Sequence, residues 1–273
     1  MQQFSISPKE MIANFWRNRS LIFSLAKREV VGRYKGSILG ILWSFINPLF
    51  MLVIYTFVFS IVLKSHWGVS ADESKTQFAI VLFVGMIVYG LFSEVINRAP
   101  GLILSNVNFV KKVIFPLDIL PFVVMGAALF HSIISLVVLT IAFVAFNGYL
   151  NWTAIFIPFV LLPLIIVTLG FAWMLASLGV FLRDLGQTTI IITTVMMFLS
   201  PIFYPTTAIP VKFLPFIRTN PLTFIIEQAR EVLIWGHQPD WVRLGIYMLL
   251  ATAIAWAGYA WFQKTRKGFA DVL

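Results

Sequence analysis

The chain of 273 residues is 60% hydrophobic and 11% charged, with a formal charge of +9 and a mean hydropathy of +0.92. Soluble domains are nearer half apolar and a quarter charged, so lipid is the main solvent of this fold. The chain contains no cysteine, which excludes a disulfide framework and a thiolate metal site. Its basic residues gather at the ends of apolar segments rather than on a polar domain, which sets nucleic-acid binding aside.

The N-terminal region, residues 1–36, holds no apolar core and no small-residue cleavage site, so it is expected to be retained. Ser7, Pro8 and Glu10 fit N-cap, N1 and N3 of a capping box. Apolar residues then recur at helical spacing (Ile12, Phe15, Trp16, Phe23, Ala26, Val30) among basic ones. This predicts one amphipathic helix, or two short ones, lying in the membrane interface, with Gly36 bending the chain into the first span. Such a region serves either as a topology anchor or as a surface for a partner or an anionic lipid headgroup. Arg28, Arg33 and Lys35 are the candidate headgroup contacts.

Six segments have the roughly 20 apolar residues a membrane helix needs: 37–63, 78–97, 117–146, 153–181, 186–204 and 242–262. Backbone groups in lipid must be satisfied internally, and the alternation of a barrel strand is missing, so the fold class is an all-α membrane protein. The domain layout is an interface region 1–36, a six-helix domain 37–263 and a tail 264–273. In the first span Trp43, Phe50 and Phe57 share a face at a spacing of seven, with Asn47 on the same stripe and Asn47–Pro48 as a kink site. The stripe is read either as packing or as an aromatic path along which sugar rings slide.

The loop 98–116 is bracketed by Pro100 and Pro116 and has room for one short helix. Glu94 and Arg98 stand at i,i+4 and are expected to pair. His131 lies mid-span, near Ser132 and Ser135; it is read as a neutral imidazole bonded to a neighbouring helix, with a functional role as the other possibility. Residues 201–241 are rich in proline yet stay apolar, so they are read as short re-entrant helices buried against protein. Within them Glu227 and Arg230 at i,i+3, and Glu231 one turn after Glu227, share a helix face.

Fourteen of the twenty Lys and Arg residues fall on the side that holds both termini and the loops after the second and fourth spans. Both termini are therefore predicted to be cytoplasmic. The chain has no G-x-x-x-x-G-K-[ST] phosphate loop, so any ATP chemistry must come from a partner. An ion-coupled transporter would show repeated broken helices and midplane charges. A membrane enzyme would show clustered carboxylates or histidines, and the eleven acids are scattered.

The stretch "KREVVGRYKGSILGILWSFINPL" resembles the start of bacterial polysaccharide-export permeases of the type-2 ABC exporter class. The likeness continues in "NVNFVKKVIFPLDILP", "SPIFYP" and "NPLTFIIEQAR" and covers nearly the whole chain in order. That resemblance implies a homodimer in the bacterial inner membrane, with two copies of a separate ATPase subunit that binds ATP and Mg. The cargo it implies is a lipid-diphosphate-linked polysaccharide, O-antigen first, with capsular polymer or teichoic acid as alternatives and a small molecule behind them. It implies a channel lined by the first and fifth spans, drawing on Trp43, Phe50, Phe57, Phe198, Phe203 and Tyr204. It implies a coupling helix within 102–112, with Leu102, Ile103, Asn106, Asn108, Lys111 and Lys112 as ATPase contacts. It implies an external gate in 201–241 that includes Glu227 and Arg230. No cofactor or metal on this chain is expected.

Overall fold

The computed structural model describes residues 5–62, 75–111 and 115–273, and their regular structure is helical throughout. Helices α1 (Pro8–Arg17) and α2 (Arg19–Tyr34) are separated at Asn18. The Asn18 side chain folds back to donate to the Asn14 carbonyl at 2.9 Å and to its Oδ1 at 2.6 Å. Ser7 caps α1 by accepting from the Lys9 N–H at 3.3 Å, with Pro8 in the first turn. The capping box is only half made: Glu10 binds Arg17 at 2.8 Å instead of turning back to Ser7. A charged donor two turns along competes well against a neutral amide.

Only α1 is strongly amphipathic. Helix α2 packs lengthwise on the first three turns of α6 (Leu120–Asn147). Phe15 of α1 meets Phe122 at 5.0 Å between ring centroids, Ile22 packs with Ile119 and Val123, and Tyr34 stands edge-on to His131 at 6.2 Å. Gly126 makes this approach possible, since a Cβ there would come within 3.0 Å of the Ala26 methyl. After Tyr34 the chain turns through Gly36 and Gly40, both at positive φ (87° and 53°), so the predicted bend uses two glycines.

Helix α3 (Trp43–Tyr55) extends the 3₁₀ turn Gly40–Leu42, contains Pro48 and widens into a π-helical stretch, Thr56–Val62. Helix α4 (Lys75–Arg98) is the centre of the bundle and touches α3, α6, α7 (Ile157–Phe181), α8 (Leu185–Phe198) and α10 (Pro221–Arg230). Short α5 (Val107–Lys111) lies in the loop between α4 and α6. Gly148, at φ 77°, ends α6 in a left-handed cap. Helix α9 (Leu214–Thr219) precedes α10; α11 (Trp241–Thr265), capped by the Asp240 side chain, and α12 (Phe269–Val272) complete the chain.

Among the described residues, five helical stretches are long and apolar enough to cross a membrane: Gly40–Phe59, Gln77–Gly101, Leu117–Asn147, Trp152–Phe181 and Trp241–Gly268. The fifth segment predicted from sequence, 186–204, is helical only as α8, whose 14 residues reach about 21 Å at 1.5 Å per residue. That falls short of the roughly 30 Å hydrocarbon core. Pro201, with no N–H to give, follows the end of the helix, and Ser200–Pro205 leave it.

The most intimate helix pair is α7 with α11. A Cβ on Gly170 would stand 2.8 Å from the Ala255 backbone, and one on Gly258 would run into the Gly170 carbonyl. Small residues let helices approach where lipid offers no hydrophobic drive. Gly258→Val is therefore expected to cost about 3 kcal/mol or more through overpacking. Yield of the variant in the membrane fraction checks this; wild-type yield and thermal stability would refute the close-packing argument.

Candidate functional site: a polar cavity beside the first span

Four helices enclose a cavity of about 290 Å³: the end of α2, one face of α3, and the facing sides of α4 and α6. A guanidinium, a carboxylate and an imidazole meet on its wall. Arg33 Nη2 lies 2.5 Å from Glu94 Oε1, and Glu94 Oε2 lies 3.0 Å from His131 Nδ1. Arg33 Nη1 is also 3.2 Å from the same imidazole nitrogen. A protonated Nδ1 donates to Glu94, and a bare one accepts from Arg33, so these two contacts are alternatives set by the tautomer. His131 Nε2 is buried and has no hydrogen-bond partner among the described residues.

Glu94 does approach Arg98 as predicted, but only at 3.7 Å. The closer partner of Arg98 is Glu29, a residue the sequence reading did not single out. Its signal was present: Glu29 is the one acid in the basic run 27–35. Further along the cavity stand Ser44 and Asn47 of α3 and Ser132 and Ser135 of α6, with the rings of Tyr55 and Phe83, 6.4 Å apart, beyond them. Asn47 thus stands between two faces of α3: the cavity face, and the outward stripe of Trp43, Phe50 and Phe57, all exposed.

The other aromatics predicted for the path divide. Phe198 is exposed. Phe203 is half-buried, stacked between Phe59 at 5.9 Å and Phe198 at 5.7 Å, and Tyr204 donates its hydroxyl to the Phe198 carbonyl at 2.6 Å. Phe59 was not singled out, yet it ties the end of the first span to the segment after α8.

Arg28 and Lys35 are exposed and carry no ion pair among the described residues. In the loop before α6, Leu102 and Ile103 are buried, which removes them from any surface open to a partner in this protomer. The cause is Pro100: it presses against Gly179 of α7, where a Cβ would strike its carbonyl, and draws the following turn inward. Asn108 is exposed, Asn106 spends its amide on the Leu102 carbonyl at 2.9 Å, Lys111 ends α5, and Lys112 lies outside the described residues. Leu104 and Ser105, not singled out, are exposed beside them.

The same end of the bundle holds a buried polar knot missed in sequence. Asp118, 3% exposed, accepts from Asn14 of α1, from Gln263 at 3.2 Å and from Arg266 at 3.3 Å. Arg266 also donates to the Phe115 carbonyl at 2.9 Å, and the Trp173 indole donates to the Asp118 carbonyl at 2.9 Å. At the far end, Arg230 is buried and donates to the carbonyls of Val81 (3.0 Å), Pro201 (2.6 Å) and Ile202 (3.3 Å). Glu227 supplies its facing countercharge. Ahead of α7, the Thr153 hydroxyl donates to the Val232 carbonyl at 2.6 Å and the Asn151 amide to the Ile234 carbonyl at 2.8 Å.

These features define a polytopic membrane protein with a charged, partly open cavity and no cluster of His, Asp and Glu suited to a metal among the described residues. Residues 3–234 match the ABC-2 type transporter family, and the chain belongs to it. It is 26% identical over 263 residues to the O-antigen export system permease protein RfbA of Myxococcus xanthus, covering 96% of this chain and 98% of that protein. A Klebsiella pneumoniae protein of the same name is 26% identical over 93% of this chain and 95% of its own length. The polysialic acid transport protein KpsM of Escherichia coli is 24% identical over 88% of this chain and 91% of its own length.

Proposed function

We propose that this chain is the membrane subunit of an ATP-driven exporter that carries a lipid-linked polysaccharide, O-antigen in the first place, across the inner membrane. The observation that carries this reading is nearly end-to-end similarity to relatives named for O-antigen export. In this reading two copies assemble with two ATPase subunits, which bind ATP and Mg and supply the chemistry. Both termini face the cytoplasm, and α8 with the segment after it completes the sixth crossing. Leu104, Ser105 and Asn108 offer the exposed surface for ATPase contact, and residues 201–241 form the outer gate. Arg28 and Lys35, exposed and without an ion pair among the described residues, meet a diphosphate headgroup first, and Arg33 follows once it leaves Glu94; guanidinium suits phosphate oxygens. Sugar then travels over the exposed rings of Trp43, Phe50, Phe57 and Phe198, which offer apolar faces without fixed hydrogen-bond patterns.

The similarity to KpsM favours one second reading, export of a capsular polymer. Deleting the chain in its native bacterium tests both. Loss of surface polysaccharide with accumulation of lipid-linked polymer inside is expected, and the accumulated polymer identifies the cargo. Loss of both pools would point to synthesis, and no change in either would overturn polysaccharide export.

A further inference from the structure

We infer that the cavity between α2, α3, α4 and α6 is a binding pocket for a single sugar ring, the one next to the diphosphate of the lipid-linked substrate; this rests on the export reading above. Charge is the first reason. The guanidinium on the wall, Arg33, is already matched by Glu94, so in this arrangement the pocket itself is not built around a free cation. What it does offer is unspent hydrogen-bonding capacity. His131 Nε2 is buried without a hydrogen-bond partner among the described residues, and the buried Ser132 and the exposed Asn47 add a hydroxyl and an amide to the same wall. Buried polar groups are normally satisfied, so a ring nitrogen left open on a cavity wall points to a polar occupant.

The chemistry of that occupant follows from the rest of the wall. Amide, hydroxyl and imidazole groups both donate and accept, which matches the hydroxyls of a sugar ring. Tyr55 and Phe83 add aromatic surface for its C–H faces. At about 290 Å³ the space is at the small end of ligand pockets, roughly 300 Å³ upward, so it holds one ring and not a polymer. The pocket face of α3 adjoins the face that carries the exposed aromatic stripe. Asn47 stands at the border of the two faces, so a ring seated against it neighbours the outward stripe. The attached diphosphate lies beside Arg33 at the wall and takes up its guanidinium only as the pair with Glu94 opens.

The test uses the assembled exporter with its ATPase subunit in lipid nanodiscs. Binding is titrated with a bare prenyl diphosphate and with the same lipid carrying one hexose, one N-acetylhexosamine or one deoxyhexose. At least one glycosylated probe is expected to bind about tenfold tighter than the bare lipid, as two or three net hydrogen bonds provide. Asn47→Leu and Ser132→Val are expected to bring that ratio close to one. The ratio is taken within each variant, so a general loss of fold lowers both probes alike. Equal affinity of all probes for the wild type would overturn the pocket and leave the headgroup reading standing. A preference that survives both substitutions would also overturn it. Failure of every probe, bare or glycosylated, to bind would remove the lipid-linked substrate itself.

Discussion

Asp118→Ala is expected to destabilise the protein by about 3–5 kcal/mol, the usual cost of removing one partner from a buried ion pair. Asp118 is 3% exposed and joins four parts of the chain at once: α1 through Asn14, α7 through Trp173, and the end of α11 through Gln263 and Arg266, all onto the turn that opens α6. Without the carboxylate, Arg266 keeps only the Phe115 carbonyl among these bonds, Asn14 loses this acceptor, and Gln263 keeps the Tyr259 hydroxyl. Asp118→Asn separates charge from shape: its amide oxygen still accepts, so the expected loss is about 1.5–3 kcal/mol, the worth of the charge-assisted bonds. Thermal unfolding in detergent checks the ranking. Limited trypsin digestion checks the location, with faster cleavage at Arg17 and Arg19 expected once α1 is released. Equal stability of both variants and wild type would mean that the knot does not hold α1 and α11 in place.

Arg230→Met is the second large effect, expected at about 3 kcal/mol or more. The methionine fills much of the volume but leaves the carbonyls of Val81, Pro201 and Ile202 without their donor, and each buried unsatisfied group costs about 1–3 kcal/mol. The Val81 carbonyl retains its place in α4, so the main loss falls on the turn at Pro201–Ile202, where the chain leaves α8. Arg230→Lys is expected to rescue only in part, because a single ammonium lacks the planar fork that reaches three oxygens at once. Gly85 gives a second handle on the same site: a Cβ there would come within 2.9 Å of Arg230 Nη2, so Gly85→Ala is expected to weaken the same turn. Hydrogen exchange over 199–204 reads the effect directly; unchanged exchange in Arg230→Met would show that the turn is held by other contacts.

Much of the architecture was legible without coordinates. Composition named lipid as solvent, runs of apolar residues marked the helices, and the capping and glycine signals at Ser7 and Gly36 stand where local chemistry put them. Hydropathy did not distinguish a full span from a short helix, so α8 ends where Pro201 stops it and not at 204. Arg33, Glu94 and His131 were each singled out, on separate grounds, because an ionisable residue in an apolar chain is conspicuous by itself. Their meeting was not legible: Glu94 lies 61 residues from Arg33 and 37 from His131.

The same limit explains what was missed or misplaced. Asp118 sits inside the recognised "FPLDILP" stretch, yet its partners are 104, 145 and 148 residues away, and no local periodicity points to them. Leu102 and Ile103 were named as contacts through the resemblance alone; both are buried, next to Pro100, which packs on Gly179. Local steric and solvation preferences act over a few residues, so the sequence by itself determined the solvent, the helices and their ends. Ion pairing and close packing act between groups that only the assembled bundle brings together. The tertiary structure therefore decided which charges neutralise one another, which polar groups remain unspent, and where the cavity lies.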